Sequence, residues 1–198
     1  PLLQADALSR VLSLYAGGGR NGVFATSLGN LADNTQVWQS FTQGQDAGAL
    51  VWSSSYLAAP PAGMNATVPP NLGNKPFTLA DSWLICLSEP YAQRRDQSAR
   101  LAEFLVDPQF LAGWTEASGT LPPRPSALSA WKNQTLRDLA GQLSLAANPV
   151  PPNEILSGVG PVLRDAAIAV VVQHNDPQQA AQKAVTTLLG GAGGSGAP

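Results

Sequence analysis

The sequence predicts a helix-rich α/β chain with few short strands. Apolar residues recur at helical spacing in several separate segments. The pairs Asp107-Pro108 and Asp176-Pro177 each set a capping carboxylate before a proline suited to the first helical position. Apolar runs of strand length occur only at Ala47 to Trp52 and Ser82 to Leu87, with a briefer candidate at Ala66 to Val68.

In chain order, Leu8, Val11, Leu12 and Tyr15 predict a helix over Ala5 to Tyr15, which Gly17, Gly18 and Gly19 should end. Asp33 or Asn34 can cap a second helix with Val37, Trp38 and Phe41 turned inward, closed by Gly44. The strand run Ala47 to Trp52 follows, then a polar loop, Ser53 to Ser55, and Tyr56. Between Ala58 and Pro76, Pro60, Pro61, Pro69, Pro70 and Pro76 leave room for one brief strand. Ser82 to Leu87 reads as a buried strand. Glu89-Pro90 then leads into a helix over Tyr91 to Leu105, with Leu101, Phe104 and Leu105 facing inward.

From Asp107 a short helix should run to about Ala117, with Gly119 as its stop. After Leu121-Pro122-Pro123-Arg124-Pro125, helices are expected over Ser126 to Trp131 and Thr135 to Leu145. The stretch Glu154 to His174 is strongly periodic, but Pro161 interrupts it after Gly158 and Gly160, which predicts a kink or a helix start there. Asp176-Pro177 opens a final helix to about Leu189, and residues 190–198 read as a flexible Gly-rich tail.

Composition narrows the function. Charged residues make up only 12% of the 198 positions against an ordinary 44% hydrophobic content, and the net charge is −2. With no basic cluster, nucleic acid is not an expected partner. A single cysteine, Cys86, excludes an internal disulfide; its neighbours Trp83, Leu84, Ile85 and Leu87 suggest a buried packing residue. One histidine, His174, excludes a multi-His metal site, and no nucleophile motif accompanies it. No catalytic residue, metal or cofactor is expected. No stretch approaches the length of a membrane span.

Several local patterns then carry a resemblance. The run Trp38-Gln39-Ser40-Phe41-Thr42-Gln43-Gly44-Gln45-Asp46-Ala47 is followed by Pro76-Phe77, the strand run to Leu87, Ser88-Glu89-Pro90, and a helix bearing Ala102-Glu103-Phe104-Leu105. Further on come Trp114 to Arg124, with Gly119 and Leu121-Pro122 at its centre, and Asp176-Pro177-Gln178-Gln179-Ala180-Ala181. In this order the chain resembles family 1 extracellular solute-binding proteins, the maltose-binding-protein-like substrate-binding proteins of ABC importers. The resemblance implies the C-terminal portion of a two-lobed, type II periplasmic-binding-protein-like fold. Residues 1–189 would contribute to both lobes, with crossings near 47–57 and 105–125. It also implies a non-enzymatic bacterial transport protein that closes its lobes around a small-molecule solute, with a sugar as the expected class. Its partners would be ABC permease subunits. Its location would be extracytoplasmic, periplasmic or cell-surface anchored, with membrane attachment only through a lipoprotein anchor outside this chain. A ligand-sensing or protein-interaction module on the same scaffold is the alternative.

Matched to the family, the ligand-binding residues would be Trp52, Ser54 and Tyr56 after the first strand run, Asp81, Ser82 and Trp83 at the next, and Gly160 at the Pro161 turn. A sugar site needs aromatic platforms and a few oriented polar groups, and these residues supply both types. Each also has a plainer reading. Trp52 and Trp83 end apolar runs and would serve equally as core, Asp81 suits a strand-entry turn, and Ser53 to Ser55 suit a solvated hinge. Gly160 stands where the family carries a sugar-stacking aromatic, which argues against maltodextrin. A helix start at Pro161 would nevertheless offer free N–H groups to a polar or anionic ligand. Trp114 and Trp131 read as core residues, and Arg124 as a brace.

Overall fold

A computed structural model describes residues 3–24, 26–73 and 75–192 of the chain. Helices dominate the described residues: α1 (Ala5–Arg20), a 3₁₀ turn (Thr26–Asn30), α2 (Asn34–Thr42), α3 (Ser53–Ala58), α4 (Ala92–Leu105), α5 (Pro108–Ser118), α6 (Pro125–Ser129), α7 (Gln134–Ala146), α8 (Asn153–Val171) and α9 (Pro177–Ala192). Two three-residue strands, β1 (Thr78–Ala80) and β2 (Ala147–Pro149), pair in parallel, Thr78 opposite Ala147 and Ala80 opposite Pro149. The fold is therefore helix-rich with few strands, as the sequence predicts. The chain divides into two compact units, with divisions after Gln36 and after Val150. Residues 47–57 and 105–125 both belong to the second unit.

The first unit comprises the chain before Val37 and after Val150. Its core joins Leu8, Leu12 and Ala16 of α1 to Ala166 and Val170 of α8 and to Ala180, Ala181 and Ala184 of α9. The glycine run expected to end α1 is instead part of it. A Cβ on Gly19 would come within 3.0 Å of the Val171 carbonyl oxygen, so a glycine lets the two backbones approach closely. Asp176 opens α9 as expected, accepting from the Gln179 N–H at 2.9 Å. Residues 190–192 continue α9; the remainder of the expected tail, 193–198, lies outside the described residues.

No helix starts at Pro161. Helix α8 runs on through Gly158, Gly160 and Pro161. An interior glycine costs about 1 kcal/mol and an interior proline about 3 kcal/mol relative to alanine, so packing further along must hold the helix together. Its buried residues, Ala166, Val170 and Val171, all lie beyond the proline.

The second unit has its own core: Leu57, Leu111, Ala112, Ala127, Trp131, Leu139, Ala140 and Leu143. Helix α5 shows how local signals assemble it. The Asp107 carboxylate accepts from the Gln109 and Phe110 N–H groups, Pro108 fills the first turn, and Gly119 ends the helix at φ +70°. Gly119 is required twice over, because an added Cβ would also lie 2.4 Å from the Ala58 nitrogen. Trp131, 2% exposed, donates its indole N–H to Thr115 Oγ1 at 3.1 Å, and Thr115 donates in turn to the Leu111 carbonyl at 2.6 Å. The buried polar atoms are thereby satisfied.

Strand placement departs from expectation. Ala47 to Trp52 has no regular structure, and Leu50 is 74% exposed. The serines expected as a loop instead begin α3, because one short turn buries Leu57 in the core. Ala66 to Val68 is irregular, and β1 forms ten residues later, where β2 supplies a partner. Ser82 to Leu87 is not a buried strand: Trp83 is 92% exposed and Leu84 83%. Cys86 is likewise exposed rather than packed. A strand needs a neighbour, and past Ala80 the described residues offer this run none. Leu101 and Phe104 of α4 are also exposed, and that helix buries nothing.

Candidate functional site

Six of the seven candidate ligand residues lie in the second unit, on two short segments. In the first, Trp52 precedes α3 and its carbonyl accepts from the Ser55 N–H at 3.0 Å, which starts the helix. The Trp52 indole is 49% exposed. Ser54, in the first turn of α3, is exposed. Tyr56 is half-buried against the core around Leu57, and its hydroxyl donates to the Met64 carbonyl at 3.1 Å, tying α3 to the proline-rich loop.

The second segment leaves the end of β1. Ala80 is held there by the Val150 N–H, which donates to its carbonyl at 2.9 Å. Asp81 then accepts from the Ser82 N–H at 2.8 Å, and Trp83 projects almost wholly into solvent. Two exposed indoles thus sit beside exposed hydroxyl and carboxylate groups on the same unit. Hydroxyls, carboxylates and indole faces bind by hydrogen bonding and ring stacking.

Gly160 belongs to the first unit, inside α8. No helix begins at Pro161, so the expected free N–H groups are not there. Of the other residues singled out, Trp131 is core, whereas Trp114 is 50% exposed. Arg124 is an exposed residue whose carbonyl accepts from the Ala127 and Leu128 N–H groups at the start of α6.

The sequence did not single out a groove of about 530 Å³ along α8 and α9 in the first unit. Ala166, Ala169 and Ala180 lie along it with Asp165, Gln179 and Lys183. Its only sequence signal is the spacing of polar residues beside small ones on two amphipathic helices, which any solvated helix pair shares. No grouping of three or more His, Cys, Asp or Glu residues able to hold a metal occurs among the described residues. No helix among them is long and apolar enough to cross a membrane.

Residues 3–139 match the family model described as bacterial extracellular solute-binding protein. The chain belongs to that family. The match covers α1 through the first half of α7 and includes both segments bearing Trp52 and Trp83, while the Asp176-Pro177 helix start and Gly160 lie beyond it. No curated protein matches the chain at a significant level. Family membership makes this an extracytoplasmic solute-binding chain; it does not name the solute.

Proposed function

We propose that this solute-binding chain captures a carbohydrate outside the cytoplasm and delivers it to the permease subunits of an ABC importer. Capture would proceed by closure of two lobes, with the closed state selected by a ligand that touches both. The observation that carries the carbohydrate reading is the exposure of Trp52 and Trp83, each flanked in sequence by hydroxyl or carboxylate side chains. A pyranose face stacks well on an accessible indole ring. Trp52, Ser54, Tyr56, Asp81, Ser82 and Trp83 are the proposed contacts, Tyr56 chiefly through its ring because its hydroxyl is engaged. Gly160 is a proposed contact through the open surface that its missing side chain leaves on α8. Attachment to the cell surface through a lipid anchor outside this chain belongs to the same reading.

A thermal-shift screen against sugars, polyols and polyamines tests it, because a ligand that binds the native state raises the melting temperature. At a hundredfold excess over Kd the native state gains about 2.7 kcal/mol. A sugar should give the largest shift, and Trp52→Ala and Trp83→Ala should each reduce it while leaving the ligand-free melting temperature nearly unchanged. Unchanged affinity in both variants removes the proposed site. The exposed apolar run Trp83 to Leu87 favours a second reading, a protein-interaction module on the same scaffold. Stabilisation by a protein partner with no response to any solute would select that reading.

A further inference from the structure

We propose that α8 contains a working joint at Gly158–Pro161, across which the arm Asn153–Ser157 bends as a unit against the anchored rod Val162–Val171. Three independent observations converge on it. Pro161 has no N–H, so the Ser157 carbonyl lacks its partner one turn on, and the ring crowds the preceding turn.

Gly158 and Gly160 both weaken the helix, yet nothing around them asks for glycine. An added Cβ would meet no atom within 4 Å at either position, and neither residue has a positive φ. Gly19 and Gly119 are different, since there a close backbone or a left-handed turn explains the choice. Burial, finally, is one-sided. Ala166, Val170 and Val171 anchor the rod, whereas Asn153, Glu154 and Ser157 of the arm are exposed and Ile155 and Leu156 only half-buried.

A helix that gives up stability at three neighbouring positions without gaining contacts is built to bend there. The chain enters the arm through Pro151-Pro152, whose fixed φ angles make that entry stiff and concentrate compliance at the joint. This inference does not depend on the identity of any solute.

Hydrogen exchange and spin-label distances on the full chain test it together. Amides of 155–160 should exchange at least roughly tenfold faster than those of 164–171, and Gly158→Ala with Gly160→Ala should slow them by roughly tenfold. Labels placed by Glu154→Cys and Gln182→Cys in a Cys86→Ser background should give a broad or two-peaked distance distribution. Adding Gly158→Ala, Gly160→Ala and Pro161→Ala should narrow it to one peak. Gly113→Ala, in the open on α5, should leave both α8 readings unchanged. A single narrow distribution in the native sequence overturns the joint. So do alanine variants that alter neither measurement, and a Gly113→Ala effect equal to theirs.

Discussion

Trp131 and Thr115 form the most demanding contact in the second unit, since a large indole and a hydroxyl are buried together and each atom able to hydrogen-bond has a partner. Trp131→Ala should destabilise the protein by about 3–5 kcal/mol through the cavity it leaves. Trp131→Phe keeps most of the packing and loses the indole hydrogen bond, so about 1–2 kcal/mol is expected. Urea melts followed by circular dichroism give both values, and equal losses would mean the hydrogen bond dominates over packing. Gly119→Ala should cost about 2 kcal/mol or more, because it adds a left-handed strain to an overlap with the Ala58 backbone. Trp131 and Trp114 both read from the sequence as core residues, and only the first is buried. Side-chain type shows what could stack on a ligand; whether a given indole is covered depends on chain segments brought in from elsewhere.

Helix starts were legible because their causes are local. Asp107-Pro108 and Asp176-Pro177 open α5 and α9 at the expected residues, and Gly119 closes α5. Asp107→Ala should cost about 1 kcal/mol by orphaning the Gln109 and Phe110 N–H groups, measurable as a lowered denaturation midpoint with an unchanged slope. Strands were much less legible. Ser82 to Leu87 has the composition of a buried strand, but a strand is completed by its neighbour, and Thr78 to Ala80 takes the pairing with β2 instead. Gly17 to Gly19 carry the opposite lesson: residues that end most helices are retained in α1 where Gly19 meets the backbone of Val171. Of the candidate ligand residues, sequence placed Trp52 and Trp83 next to polar groups. It placed Gly160 at a helix start that α8 overrides, because packing beyond Pro161 outweighs the local breakers.

For the molecule as a whole, the exposed run Trp83 to Leu87 is both opportunity and hazard. Contiguous exposed apolar residues of high β-propensity promote association between chains. Leu84→Lys with Ile85→Lys should raise the soluble concentration while shifting the melting temperature by only a few degrees, since both side chains are already exposed. A large loss of stability would instead mean that the run is covered in solution. The division into two units has a further, optical consequence. Trp38, Trp52, Trp83, Trp114 and Trp131 account for all five tryptophans, and every one lies between Val37 and Val150. Intrinsic emission excited at the indole band therefore watches the second unit alone. The three-helix core of α1, α8 and α9 melts unseen by it, so a fluorescence trace that departs from the far-ultraviolet dichroism trace measures the first unit by difference.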